Sequence, residues 1–557
     1  MTSKNVELEL VWLILAAVIG ACVFLFDFPK KINEWYYVIR LGKKKHSYLP
    51  PGDMGWPFIG NMISFVRAFR SQNPDSFVNN LVHRYGHTGI YKTSLFGNPS
   101  IIVCSPELCR KVLTDDERFE YGYPSSLNNL LGEHRSLHSV SNSEHRYLRK
   151  LLISPINGHE SLSKHIGYIE DVVVSSLEEW AHNNSPIELL TELKKINFKV
   201  MTRILMGSAD YISESMTKQY AQLFQGLMSP LPIDVPGFTF HRAIQARKTL
   251  LNVFQAHLDE RKCKNDDGLN IKKGMIDLLL EAKDEDGEKL DNELIVNLLL
   301  GFLLAGHETT AHAALWLTVY LHNHPEVLQK VREEQVEILK SRQSSQKGLT
   351  LNEIRRMEYL SKAFDETMRL CGMPFAIFRK TNNDVEVDGY IIPKGWKVLV
   401  WNRAIHLNSE FYSNPKDFIP SRWDNLKPKA GSFIPFGAGS RTCPGADLSK
   451  VEMYIFIHYF VLNYSFEQIN PKSPVIFPNP SPIDNCLAKV KWMTGLRVDC
   501  LSLGGYLFSG SGRLGIAFHE FHAGSLWLSR LEVGLSKQYS GWMRELSIVA
   551  AGFRVSC

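Results

Sequence analysis

One cysteine in this chain has surroundings that could support chemistry. It is Cys443, in the stretch Phe436-Gly437-Ala438-Gly439-Ser440-Arg441-Thr442-Cys443-Pro444-Gly445. Glycines and a proline let the backbone turn tightly and approach a large flat ligand. An amphipathic run from Ala446 to Tyr459 follows and predicts a helix. A thiolate near a helix N-terminus is stabilised by the positive end of the dipole and by nearby amide N–H groups. Such a sulfur can ligate haem iron axially, where it pushes electron density toward the metal and favours O–O cleavage. Arg441, two residues earlier, is well placed to meet a haem propionate. For a lone Gly-x-Cys, a buried core cysteine in a turn would be the better reading.

A second candidate is Ala305-Gly306-His307-Glu308-Thr309-Thr310, inside the apolar run Leu294 to Leu321. Two small residues let a flat group approach the helix, and an adjacent acid and alcohol, Glu308 and Thr309, can relay protons. The plainer alternative is side-chain bonding to i−4 carbonyls. The run is apolar all round, as in a helix buried within a large domain. A second membrane span is disfavoured, because Asn297, Glu308 and His312 would lie at membrane depth. Further on, Glu366 and Arg369 share a helix face at i, i+3 spacing. Such pairs are mostly exposed and worth little. Here Arg422, in Asn414 to Trp423, could close a buried Glu-Arg-Arg cluster.

These residues must be positioned by a large scaffold. With 557 residues, 44% of them hydrophobic, the chain can bury a sizeable core. A net charge of +5, without a concentrated basic stripe, argues against a nucleic-acid partner. The nine cysteines are scattered with no CxxC pair, as reduced thiols in a cytosolic environment would be. Leu10 to Phe26 is an uncharged apolar run of 17 residues, near the lower limit for a bilayer span. Lysines follow it at 30, 31, 43, 44 and 45, which places the main body on the cytoplasmic side. A cleaved signal peptide and a core helix are the rival readings. Residues 49–57 are proline- and glycine-rich and suit a stiff hinge.

Strands are predicted at 89–93, 100–104, 385–392 and 397–401. The helical period dominates from about 105 to 340, broken by loops near 119–142, 228–240 and 264–272, and Glu281 to Lys289 reads as a solvated loop. The expected division is an anchor over 1–28, a basic, proline-rich hinge over 29–60, a catalytic domain over 61–498 and an atypical Gly/Ser-rich extension over 499–557. In the extension, His519 and His522 flank Glu520 and Phe521, but His-x-x-His without a third ligand is more often chance than a metal site.

The order Ala305–Thr310, Glu366-x-x-Arg369, Pro415 to Trp423, then the Cys443 loop resembles that of the cytochrome P-450 superfamily, over roughly residues 35 to 495. Trp35–Tyr37, Leu49–Gly60, Phe96–Ser100, Val112–Asp116 and Ala430–Asp447 are similar to plant ent-kaurenoic acid oxidases and legume beta-amyrin 11-oxidases. The resemblance implies a mainly α fold with small β-sheets and an N-terminal transmembrane helix. It implies Cys443 as the axial ligand of haem b iron, within a loop that includes Phe436 and Gly437. Arg441, Arg379 and Arg149 are then the propionate-binding residues. His145 stands where many members carry a tryptophan, and can still donate a hydrogen bond. Glu308 and Thr309 would assist dioxygen activation, and Glu366, Arg369 and Arg422 would form a structural triad.

The activity so implied is a monooxygenase of the endoplasmic-reticulum membrane, single-pass with its catalytic domain cytoplasmic. It would oxidise an apolar terpenoid, a triterpene such as beta-amyrin, with O2 and electrons from NADPH through a partner reductase. Oxidation of ent-kaurenoic acid or of a sterol is the alternative within that class. Other readings stay open: a haem-thiolate isomerase or dehydratase using pre-formed peroxide, a non-catalytic membrane-anchored haem protein, and a product made inert by its unusual C-terminal extension.

Overall fold

The computed structural model describes residues 31–493, apart from segments at 43–47, 133–135, 138–139, 184, 209–213, 230–231, 267–273, 285–286 and 344–345. The expected anchor at Leu10–Phe26 and the extension beyond residue 498 therefore lie outside the described residues.

The helices that position the candidate residues are, in chain order, α1 (Met62–Arg70), α2 (Asn142–Ile153), α3 (His159–Asn183), α4 (Leu189–Met206), α5 (Asn292–Asn323), α6 (Glu358–Cys371) and α7 (Ala446–Asn463). α5 follows from its sequence: apolar side chains on every face leave no side for water, so it is enclosed by other helices. It packs against α4, α6 and α7, and 78% of its most apolar window is buried inside the protein. α7 departs from expectation. It is not amphipathic, since every side chain from Val451 to Asn463 is buried; α3, α5, the helix Pro325–Lys340 and the strand Tyr464–Gln468 pack around it.

Among the described residues, twelve short strands form small sheets. In chain order they are β1 (Ile90–Leu95), β2 (Asn98–Val103), β3 (Phe119–Tyr121), β4 (Ile187–Glu188), β5 (Ile377–Thr381), β6 (Val385–Val387), β7 (Tyr390–Ile392), β8 (Lys397–Val400), β9 (Tyr464–Gln468), β10 (Val475–Ile476), β11 (Ser481–Pro482) and β12 (Leu487–Trp492). The largest sheet has the order β1-β2-β8-β5-β3. β1 and β2 make a hairpin closed by Phe96 and Gly97, whose φ values of 53° and 71° suit the right-handed strand twist. In the antiparallel pair β3–β5, Tyr121 stands opposite Arg379, which brings both to one place.

Two sequence expectations are corrected. The loop expected near 119–142 contains β3 and a helix, Ser125–Leu131, and α2 begins at its end. The strand expected over Val385 to Ile392 is a hairpin instead. Asp388 and Gly389 adopt φ values of 49° and 79° and reverse the chain between β6 and β7. Asp-Gly is a favoured pair for this turn, and outweighs the β-propensity of the run.

Candidate active site

The Cys443 loop is closed by its own backbone, with the Cys443 N–H donating to the Phe436 carbonyl at 2.9 Å. Gly439, at φ 77°, sits so close to the preceding region that a Cβ there would come within 2.4 Å of the Leu113 carbonyl oxygen. Gly437 also has positive φ, and the Phe436 ring stacks on Phe364 of α6 at 6.3 Å. α7 starts immediately behind, with Gly445 as its first cap residue. Burial pushes the Cys443 thiol up, while the Gly445 N–H and the Arg149 guanidinium pull the other way. These last two are the groups that would stabilise a thiolate.

Three guanidinium groups converge beside the cysteine. Arg149, on α2, donates from Nη2 to Thr442 Oγ1 at 3.3 Å. Arg441 lies 3.3 Å from Asp116 Oδ1 through its Nε and 4.1 Å over the Tyr121 ring. Arg379, on β5, stands 5.4 Å over the same ring and is 2% exposed. The Nε atoms of Arg379 and Arg441 are buried with no hydrogen-bond partner among the described residues. Burial lowers the Arg379 pKa from its ordinary value. His145, also on α2, meets Tyr121 Oη at 3.3 Å through Nε2. Its pKa is lowered to about 4, first by burial and then by Arg441 and Arg149, so the ring is neutral near pH 7.

On α5, Glu308 and Thr309 face different surroundings. Thr309 lines the cavity, and its Oγ1 donates to the Ala305 carbonyl at 2.7 Å, the i−4 bond anticipated as the plainer reading. Glu308 is not among the cavity-lining residues; its Oε2 lies 2.8 Å from Lys194 Nζ of α4. Burial raises the Glu308 pKa, and Lys194 opposes that rise.

Glu366, Arg369 and Arg422 meet in one cluster, the first two with fully buried side chains. Arg369 donates through Nε and Nη2 to Glu366 at 2.9 and 2.8 Å, and Arg422 Nε at 3.2 Å. The carboxylate also accepts from the Ile419 N–H at 3.1 Å and Trp423 Nε1 at 3.0 Å. Arg369 further donates to the carbonyls of His406, Pro415 and Asp417. A buried ion pair holds its place when such additional bonds satisfy its lone pairs and protons.

Cys443, Thr309, Phe436, Gly437, Arg379 and Arg441 all line one cavity of about 1410 Å³. A haem fits this donor set. A sulfur lies in the cavity wall together with Arg379, whose Nε has no hydrogen-bond partner among the described residues, and with Arg441, where propionate oxygens would give these guanidinium groups further acceptors. Sequence reading did not find Lys194, Tyr121 or Asn142, which accepts from Arg441 Nη2. Asp116 lay within a quoted motif, but its pairing with Arg441 had no local signal.

The family model described as Cytochrome P450 matches residues 50–487. The chain is 54% identical over 489 residues to a 7,8-epoxymelianol synthase of Ailanthus altissima, covering 87% of this chain and 98% of that protein. It is 50% identical over 500 residues to the beta-amyrin 11-oxidase of Glycyrrhiza uralensis, covering 88% and 100%. It is 47% identical over 475 residues to ent-kaurenoic acid oxidase 1 of Arabidopsis thaliana, covering 85% and 96%. Among solved structures, the retinoic-acid-bound cyanobacterial CYP120A1 matches with a TM-score of 0.71 and 25% identity, covering 80% of this chain and 99% of that one.

Proposed function

The chain belongs to the cytochrome P450 family and is a P450 monooxygenase, and from that premise we propose that it oxidises an apolar terpenoid, a triterpene of the beta-amyrin type. The observation that carries this is a large cavity with Cys443, Arg379 and Thr309 in its wall, lined for the most part by apolar side chains. Phe65, Phe96, Ile377 and Met453 are among them, and can exclude water from a hydrocarbon skeleton. The substrate class is supported by identities of 54% and 50% to triterpenoid-acting relatives, against 47% to an ent-kaurenoic acid oxidase.

Cys443 would hold the haem iron, and Arg149, Arg379 and Arg441 its propionates, with neutral His145 and Tyr121 supporting that corner. When bound, haem supplies the activation of dioxygen that these side chains cannot perform. Thr309 presents its hydroxyl oxygen to the cavity, where it can hold a water and pass a proton. Glu308, paired to Lys194, would reach that water only by turning away from its partner. Electrons would come from NADPH through a partner reductase. The endoplasmic-reticulum membrane is the proposed site, with the catalytic domain cytoplasmic. Exposed Trp35, Ile39, Phe58, Ile63 and Val235 support contact with lipid.

A second reading, ent-kaurenoic acid oxidation, is favoured by Arg67 and Arg70 of α1, which line the cavity and could meet a carboxylate. Microsomes carrying the protein with reductase and NADPH, supplied with beta-amyrin or ent-kaurenoic acid, separate the two. Product from beta-amyrin is expected; product from ent-kaurenoic acid alone would overturn the triterpene assignment.

A further inference from the structure

The helix Ser125–Leu131 brings Ser125, Ser126 and Leu127 to the wall of the large cavity. By itself it is a weak element. It has seven residues, Pro124 gives it no side-chain cap, and Leu130 is its one buried residue. A helix so short is not stable alone in water.

Two cations grip this segment from outside, one at each end. Ahead of the helix, Lys397 of β8 donates from Nζ to the Tyr123 carbonyl at 3.1 Å. Lys397 is half-buried, and Glu120, an acid whose charge reaches it, is paired with Lys380 at 2.5 Å. At the other end, Arg247 of the helix Thr239–Asp266 donates from Nε to the Leu130 carbonyl at 3.1 Å. That carbonyl belongs to the last turn, which has no intrahelical partner to offer and favours a cation. Arg247 is itself aimed by Asn297 of α5, a buried side chain whose Oδ1 accepts from Nη2.

Two glycines let the Arg247 junction close. Gly132 follows the helix at φ 98°, and a Cβ there would lie 2.9 Å from Asn297 Oδ1 and 3.1 Å from Arg247 Nη2. On the helix Glu214–Leu227, a Cβ at Gly226 would lie 2.1 Å from Ala243 Cβ and 3.3 Å from Leu130 Cδ1. The residues just after Gly226, Leu227 to Ser229, also line the large cavity. Neither Lys397 nor Arg247 is among the lining residues.

We propose that Lys397 and Arg247 are positioning residues that clasp the Ser125–Leu131 segment from its two ends, hold Ser125, Ser126 and Leu127 in place at the cavity wall, and so decide which ligand shapes the cavity accepts. Bonds from a cation to a carbonyl are stronger than neutral ones, and here they supply what so short a helix lacks in burial. Losing either cation frees one end of the wall and removes no group that lines the cavity.

The first test is hydrogen exchange on the full-length haem-loaded protein, which needs no substrate. Lys397→Met and Arg247→Met should each speed exchange at residues 127–131 by about tenfold or more, the worth of one bond to a charged group. Exchange in α6 should not change. Lys397→Arg keeps a donor and should restore protection, while Asn297→Leu should reproduce part of the Arg247→Met effect. A second arm compares imidazole with a triaryl-substituted imidazole, each followed by the Soret shift on binding. The ratio of their affinities should change by about tenfold in either Met variant. A third arm rests on the terpenoid reading: with beta-amyrin, KM should rise by about tenfold while kcat falls less.

Unchanged exchange at residues 127–131 in both Met variants overturns the clasp. Faster exchange with an unchanged azole ratio overturns its link to ligand choice. If a Met variant retains no haem, Arg247→Lys decides: it cannot reach Leu130 and Asn297 with one planar fork, so exchange should still quicken, and unchanged exchange refutes the clasp. No product from beta-amyrin with the wild type sinks the substrate reading alone, and the exchange and azole arms still decide the proposal.

Discussion

Lys194 Nζ lies 2.8 Å from Glu308 Oε2, and this pairing holds the acid away from the cavity that Thr309 faces. Both side chains are largely buried, at 16% and 5% exposure, so each is the other's main compensation for lost water. Replacing Lys194 with Met leaves Glu308 buried without its cation. Its pKa, already raised by burial, then rises further. A carboxyl raised above its unfolded value contributes stability below the unfolded pKa and loses it as pH rises through the folded one. Lys194→Met should therefore lower Tm more at pH 8 than at pH 6, with a cost of about 3 kcal/mol where the acid is ionised. Equal losses at both pH values would show that Glu308 does not depend on the lysine charge.

Thr309→Ala removes the hydroxyl that lines the cavity but not the α5 backbone that carries it. Product turnover should drop by about 10²-fold, the low end for a lost proton-transfer group. Oxygen uptake should continue with peroxide as its product. The carbon-monoxide spectrum of the reduced protein should stay that of a thiolate-ligated haem. Undiminished product per oxygen consumed would remove Thr309 from the relay.

Cys443→Ala should abolish that far-red-shifted thiolate spectrum altogether. Among the six described cysteines, Cys443 alone lies in the glycine-bracketed loop that opens to the cavity. The parent spectrum persisting in this variant would contradict the whole assignment of the site.

Arg369→Lys keeps a positive charge but loses the planar fork that grips Glu366 at two points. It also forfeits bonds to carbonyls of His406, Pro415 and Asp417. The Arg369–Glu366 pair is fully buried, so the variant should lose about 3–5 kcal/mol, close to the cost of breaking the pair. Urea titration of the haem-loaded protein measures this directly. A loss within 1 kcal/mol would place the cluster among ordinary surface pairs.

His458 is fully buried on α7, and burial lowers its pKa to about 3. The unfolded chain takes up a proton near the ordinary value of 6.5, which the folded chain refuses until pH 3. The stability this group confers is thus complete above pH 6.5 and is lost as pH falls toward 3. His458→Gln cannot take up that proton, so its Tm should fall less steeply than wild type between pH 6.5 and 5. The difference corresponds to about 1.4 kcal/mol per pH unit at most. Parallel acid limbs would refute the assignment.

Much of the site could be read from the chain because its parts are local. The Cys443 loop announces itself through glycines that a tight approach to Leu113 requires. α5 is apolar on every face, and Glu366 with Arg369 is an i, i+3 pair. What escaped is what tertiary packing assembles. Lys194 reaches Glu308 from another helix, and nothing near Lys194 in sequence marks it as a partner. Tyr121 enters on a three-residue strand, too short for an alternating pattern to register. Asp388-Gly389 was a visible turn signal that the surrounding β-branched residues masked.

The bonds of Arg369 carry an implication for how this protein is made. Its guanidinium is satisfied by carbonyls 37, 46 and 48 residues further along the chain. On the ribosome, α6 therefore emerges with a guanidinium that has only Glu366 of its own helix to bind until that whole stretch has followed. The cysteine loop arrives later still, so the pocket floor is among the last parts of the domain to leave the exit tunnel. Cofactor capture is then necessarily an event of late synthesis or of the released chain. A ribosome stalled before residue 443 would hold a nascent domain with no means of retaining haem iron.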